Sequence, residues 1–167
     1  MIERDAVPAD AHALAEIGAA TFTATFGHLY TPENLALFLE NHRPEAWAED
    51  LADPQLAVRV AEVDDTLIGY AKVGPAVLPF TPAKGAWELR QLYVLPRWHG
   101  SGLAARMMDW AIATATGRGA SEIYLSVFID NERARRFYAR YGFEAVGRWA
   151  FMVGTHADED IIMRRRL

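Results

Sequence analysis

"PRWHGSGLAARM", residues Pro96–Met107, decides how the chain is read. It follows the apolar run "LYVL", residues 92–95, and precedes a second apolar run. In that second run Leu103, Met107, Trp110 and Ala111 fall on one helical face, and Gly117 with Gly119 stops it. The stretch is therefore a turn from a strand into a helix. Backbone amides at a helix start are unpaired and carry partial positive charge. Glycines such as Gly100 and Gly102 let an anion approach them closely. Arg97 and His99 beside the glycines favour an anion site over a merely tight turn.

Three phosphate-binding patterns compete for this turn. A P-loop needs Lys and Ser or Thr directly after its last glycine, where this chain has Leu103 and Ala104. "GSGLAA", Gly100–Ala105, matches the dinucleotide pattern literally. That fold, however, starts its turn directly after the strand, and here Pro96–His99 intervene. Its ribose-binding acid closes the next strand, whereas Glu122, at the right spacing, opens one. Too little chain follows residue 105 for the remaining strands of that fold.

The flanking sequence supplies the third candidate. "EIYLSVF", residues 122–128, is apolar on both faces, as a covered central strand is. "DNERARRFYARYGF", residues 130–143, reads as a helix capped by Asp130 or Asn131 and ended by Gly142. Two strands follow, near 143–153 and 159–166. Upstream, "AWELRQLYVL" is a strand and "GPAVLPFTPAKG", with three prolines, is a long loop or irregular edge. Asp64 and Asp65 turn a hairpin between two short apolar strands. Helices are predicted over roughly 9–20, after the Thr31–Pro32 cap, and after Pro44. The order is strand, two or three helices, hairpin, then β-α-β-α-β-β. A strand–helix–strand unit of this length implies one parallel pair, and the hairpins imply antiparallel edges. The fold class is α/β with a mixed sheet flanked by helices, in a single domain.

Composition narrows the function classes. The 167 residues hold no cysteine, which excludes disulfides, thiolate metal sites and a cysteine nucleophile. The net charge of −5 argues against general affinity for nucleic acid or an anionic membrane. The start "MIERDAVPAD" lacks the apolar core of a signal peptide, and no run approaches the ~18 apolar residues of a membrane helix. A cytoplasmic protein is expected. The five histidines, His12, His28, His42, His99 and His156, show no metal-ligand spacing. Ser126 has no nucleophile-elbow context.

Two blocks then stand out together. The first is R-x-x-G-x-G-L/A: Arg97, Gly100, Gly102, Leu103 and Ala104. The second is N-x-x-A-x-x-F-Y-x-x-x-G-F: Asn131, Ala134, Phe137, Tyr138, Gly142 and Phe143. In this order, with these elements between them, they resemble the GNAT superfamily of N-acetyltransferases. The resemblance implies the acyl-CoA N-acyltransferase fold: a mostly antiparallel sheet with a central splayed parallel pair and helices on both faces. It divides the single domain, 1–167, into an acceptor side at 1–85 and an acetyl-CoA-binding core at 86–167. It also implies acetyl-CoA as co-substrate, no metal, a small-molecule amine as acceptor and, by family habit, a homodimer.

Residue roles follow from the same resemblance. The backbone of Leu92, Tyr93 and Val94 pairs with the pantetheine arm. The amides around His99, Gly100, Ser101, Gly102, Leu103 and Ala104 cradle the pyrophosphate, with Arg97 adding charge. Asn131 hydrogen-bonds the pantetheine. Arg133 or Arg136 reaches the 3′-phosphate, or both are solvated. The Val94 amide supports the thioester oxygen, and Tyr138 is the general acid for the leaving thiolate. Without the resemblance Tyr138 reads as part of an apolar helix face with Phe137 and Tyr141. Glu88 is the candidate base. It stands six residues before Val94, and period two puts both on one face unless a bulge intervenes; otherwise it is a plain edge carboxylate. A non-catalytic acyl-CoA-sensing module would need the glycine turn but not Tyr138.

The acceptor is less legible. "TFTATFGHLYTPENLALFLE" and the tail "FMVGTHADEDIIM" bear a looser similarity to bacterial polyamine acetyltransferases of the superfamily. Asp158, Glu159 and Asp160 read first as a solvated turn before the last strand, with attraction for a polycation as the alternative. The aromatic residues Phe22, Phe26, Tyr30 and Phe38 belong either to core or to pocket.

Overall fold

The computed structural model describes residues 1–79, 82 and 84–167. The chain runs β1 (Ile2–Asp5), α1 (Ala11–Phe26), α2 (Pro32–Leu39), α3 (Pro44–Ala52), β2 (Ala57–Val63), β3 (Thr66–Pro75), β4 (Trp87–Val94), α4 (Leu103–Gly117), β5 (Glu122–Phe128), α5 (Glu132–Arg140), β6 (Glu144–Val153) and β7 (His156–Arg166). The seven strands form one sheet in the order β1-β2-β3-β4-β5-β7-β6. Only β4 and β5 pair in parallel; the other neighbours are antiparallel.

Local chemistry sets several boundaries. Asp64 and Asp65 both adopt positive φ, the geometry of the two-residue turns that match strand twist. The Thr31 hydroxyl accepts from the Asn34 amide at 3.3 Å ahead of Pro32, capping α2 as predicted. Asn131, not Asp130, caps α5: its Oδ1 accepts from the Ala134 amide at 3.2 Å. α1 runs six residues past the predicted end, to Phe26, with the Thr25 hydroxyl donating to the Thr21 carbonyl within the helix. β3 continues through Gly74 and Pro75, which the sequence placed in the loop, because Pro75 pairs with Trp87. Of that loop, Phe80, Thr81 and Ala83 lie outside the described residues.

Helices cover both faces of the sheet. On one, Leu103, Met107, Met108, Ala111 and Ala115 of α4 pack on Ala71, Val73, Leu89, Val94, Ile123 and Leu125. Ala134, Phe137 and Tyr138 of α5 close the same cluster. On the other, Leu14 and Ile17 of α1 and Trp47 of α3 pack on Val58, Val60 and Tyr70. Among the described residues no helix is long and apolar enough to cross a membrane.

Met107 is fully buried at the centre of the α4 face. Met107→Ala is expected to lower stability by about 2–5 kcal/mol, the range for emptying a rigid core site. Urea unfolding followed by circular dichroism measures it.

Candidate active site

The parallel pair does not stay paired. β4 and β5 are in register only at Trp87–Ile123 and Glu88–Tyr124. Beyond that point β4 keeps its β3 partners through Val94, and β5 keeps its β7 partners through Phe128. The sheet is thus intact on its outer sides and opens between its two central strands. Past Glu88, the β4 backbone groups that point toward β5 have no strand partner among the described residues. Such an edge without a strand partner, engaged among the described residues only at the Val94 carbonyl by His99, suits an extended amide ligand.

A bulge lies at the start of the opening. Lys72 pairs with Gln91 and Val73 with Leu89, so Arg90 is the extra residue of β4. Its guanidinium donates to the Pro75 carbonyl at 2.9 Å. The bulge reverses the parity of the strand. Glu88, Gln91 and Tyr93 face the α1 side with Tyr70 and Lys72, while Leu89, Leu92 and Val94 face α4. The expectation that Glu88 and Val94 share a face is therefore corrected.

The glycine turn closes the wide end. Residues 96–98 form one 3-10 turn, with the Trp98 amide donating to the Leu95 carbonyl at 2.8 Å. Gly100 and Gly102 have φ of +82° and +80°, which a side chain would strain. The Leu103 amide donates to Ser101 Oγ at 3.4 Å. The amides of Gly100, Gly102, Ala104 and Ala105 find no acceptor among the described residues. Four free donors at the start of a fifteen-residue helix make an anion cradle. The exposed Arg97 guanidinium beside it makes no ion pair or hydrogen bond among the described residues. His99 bridges two elements: its Nε2 lies 2.9 Å from the Val94 carbonyl, and its Nδ1 2.6 Å from the Arg133 guanidinium. That pairing requires the Nε2–H tautomer, donating to Val94 and accepting from Arg133. Arg136 instead pairs with Glu132 one turn along α5.

Tyr138 reaches this region from α5. Half-buried beside Phe137 and Phe143, its phenol has no hydrogen-bond partner among the described residues. Burial pushes its pKa up to about 12, so it holds its proton at neutral pH. Tyr93 on β4 is raised as well, by burial first and then by the nearby Tyr138 phenol and Asp160 carboxylate.

Three buried carboxylates, Glu88, Asp158 and Asp160, occupy the α1–α2 side. Glu88 is 7% exposed; its Oε2 accepts from the Val77 amide at 2.9 Å, and the Leu78 amide also donates to it. Burial raises its pKa against those contacts. Asp160 is 6% exposed. The Trp149 indole donates to Ser126 Oγ at 2.9 Å, and the Ser126 hydroxyl donates in turn to Asp160. Burial, reinforced by Asp158, lifts Asp160 to about 6 against the Ser126 contact. Asp158 accepts from the Tyr30 hydroxyl and lies 3.2 Å from His156. Phe22, Phe26, Phe38, Phe128 and Phe151 ring this face in stacked and edge contacts.

The solvated-turn reading of residues 158–160 is corrected. β7 begins at His156, three residues earlier than predicted, and strand alternation buries Asp158 and Asp160 while Glu159 faces out to Arg148. Acids two apart, running directly into "IIM", carried that alternation in the sequence. Ser126 was dismissed for lacking a nucleophile motif; its place opposite the tail strand is a tertiary fact that no local pattern shows.

The profile of the acetyltransferase (GNAT) family matches residues 19–143. An uncharacterised N-acetyltransferase of Mycobacterium bovis is 37% identical over 159 residues, covering 95% of this chain and 98% of its own. Among solved structures, the PaiA N-acetyltransferase of Thermoplasma acidophilum in complex with coenzyme A superposes with a TM-score of 0.79 at 20% identity, covering 99% of this chain and 98% of the other. A ribosomal-protein-alanine N-acetyltransferase of Brucella melitensis gives 0.70 at 24% identity, with both chains fully covered. At these identities the superpositions show the fold alone.

Asp160 also carries a stability signature. Its folded pKa of about 6 lies above the unfolded value near ~3.9, so the folded state binds more protons between the two. Its contribution therefore falls as pH rises through that window. Asp160→Asn is expected to be more stable than the parent at pH 7.5, by up to about 2–3 kcal/mol, with the gap closing toward pH 4.5. Parallel denaturant titrations at the two pH values test this.

Proposed function

The chain belongs to the GNAT family of acetyltransferases, and on that premise we propose that it moves the acetyl group of acetyl-CoA to a primary amine of a small cationic molecule, a polyamine being the class its acceptor side suits best. The observation that carries the reading is the opening between β4 and β5, with an unpaired β4 edge leading to the free amides of Gly100, Gly102, Ala104 and Ala105.

These residues fit the co-substrate. The edge of Leu92, Tyr93 and Val94 takes the amide-bearing pantetheine arm as an added strand. The turn His99–Ala104 takes the pyrophosphate, with Arg97 supplying charge. Asn131 spends its Oδ1 on the helix cap and keeps its amide NH2 for the pantetheine. Arg133, already beside His99, is the candidate for the 3′-phosphate, since Arg136 is engaged by Glu132.

Acetyl-CoA supplies the acyl group as a thioester, open to direct attack by a neutral amine. The protein must then provide three things. The Val94 amide supports the oxygen that gains charge. Tyr138 protonates the leaving thiolate. A phenol at about 12 is a weak acid, but it is fully protonated at neutral pH and so has a proton to give as charge develops on the departing sulfur. Third, an acceptor amine with a pKa of about 10.4 must lose a proton, and Glu88 and Asp160 are the candidate carboxylates on the acceptor face.

The acceptor side supports a cationic molecule. Asp158 and Asp160 are buried beneath aromatic rings, where an alkylammonium gains both charge and ring contacts. Coenzyme A release across spermidine, an alanine-starting peptide and kanamycin tests this. Turnover led by spermidine is expected; turnover of the peptide or kanamycin without spermidine overturns the polyamine reading. Tyr138→Phe is expected to lower kcat by about 100-fold or more while leaving coenzyme A affinity nearly unchanged. An unchanged kcat removes Tyr138 from the chemistry.

A further inference from the structure

Given the transfer proposed above, on which this inference rests, a buried carboxylate of the acceptor face takes the proton of the incoming ammonium. Asp158 is already engaged by the Tyr30 hydroxyl and by His156, which leaves Glu88 and Asp160, and their settings differ. Glu88 stands at the closed end of the opening, opposite Tyr124, where β4 and β5 are still paired. Its charge is engaged by the Val77 and Leu78 amides, which tie down the chain leaving β3. Asp160 stands at the open end. Its cross-strand partner on β5 is Phe128, four residues beyond the last β5 residue in register with β4.

The groups around Asp160 come from four strands and from the segment before α2. Ser126 of β5 donates to it, and Trp149 of β6 directs that hydroxyl. Asp158 on β7 itself adds negative charge and is held by Tyr30 and His156. Tyr93 of β4 and Tyr30, just before α2, both lie within its electrostatic reach. No cation neutralises Asp160 among the described residues; its only direct partner is the Ser126 hydroxyl. Tyr93 lies within electrostatic reach of both Asp160 and Tyr138, so base and acid address one opening from its two sides.

We propose that Asp160 is the carboxylate that receives the acceptor's ammonium proton, that Ser126 and Trp149 are its positioning residues, and that Glu88 anchors the loop after β3. The proton balance is complete without another reactant. An N–H bond of the ammonium breaks and an O–H bond forms on Asp160. The freed lone pair forms the C–N bond as the C–S bond breaks. The thiolate takes the Tyr138 proton, and the second proton shed by nitrogen restores the phenol. Asp160 returns its proton to water, so each turnover releases one. The carboxyl's elevated pKa, about 6, makes it a stronger base than an ordinary aspartate while leaving it ionised at pH 7.

The test is kcat/KM against pH from 5 to 9 for the parent and three variants, with spermidine, the alanine-starting peptide and kanamycin as acceptors. Asp160→Asn is expected to lose about 100-fold or more and to lose the acidic limb, while still binding coenzyme A. Ser126→Ala is expected to move that limb to higher pH, because its hydroxyl stabilises the anion. Glu88→Gln is expected to leave the limb in place. The inference is overturned by an Asp160→Asn enzyme within about threefold of the parent, by an unmoved limb in Ser126→Ala, or by loss of the limb in Glu88→Gln. A parent that acetylates none of the three amines overturns the transfer reading itself. Parent turnover with an indifferent Asp160→Asn overturns the inference alone.

Discussion

The absence of backbone pairing between β4 and β5 past Glu88 is the constraint on which the rest depends. Buried amides and carbonyls need partners, so a gap in mid-sheet is costly unless something else holds the strands apart. Here each strand is secured from its far side: β4 by β3, β5 by β7. α4 packs across β3 and β4, so β4 does not swing over to close the gap. The Arg90 bulge loosens the ladder where the opening starts and turns Gln91 and Tyr93 toward the acceptor side. The proposed backbone contacts with the pantetheine arm use the β4 edge that this arrangement leaves without a strand partner.

Much of this was legible in the sequence where the rules are local. The glycines at 100 and 102, the apolar face of α4 and a cap at Asp130 or Asn131 each follow from neighbours within a few residues, and the structure keeps them, with Asn131 as the cap. What could not be read locally was which way side chains face after an irregularity. Glu88 and Val94 are six apart, an even count, and one extra residue at Arg90 sets them on opposite faces. The tail failed for a different reason. Acids beside a glycine-threonine turn look solvated, and only the pairing of β7 with both β5 and β6 buries Asp158 and Asp160. Burial of a carboxylate is a property of its surroundings, not of its own letter.

Those burials run against stability. Asp160, Glu88 and the Tyr138 phenol all hold shifted pKa values chiefly because water is excluded from them. An apolar residue at position 160 would pack between the rings without that cost. The two carboxylates lie on the acceptor face and the phenol at the rim of the Leu, Ile, Val and Met cluster, so the departures from good packing gather around the opening where chemistry is proposed.

β7 follows β6 in the chain yet inserts between β6 and β5. The segment carrying Asp158 and Asp160 follows every other strand in the chain, and its place in the sheet requires two long ladders. Until they form, β5 has an unpaired edge, Ser126 has no carboxylate to meet, and the acceptor face has no floor. A nascent chain can form the helices and the glycine turn early, because their contacts are local. Competence to receive an amine arises only when β7 pairs with β5 as well as with β6, its hairpin neighbour.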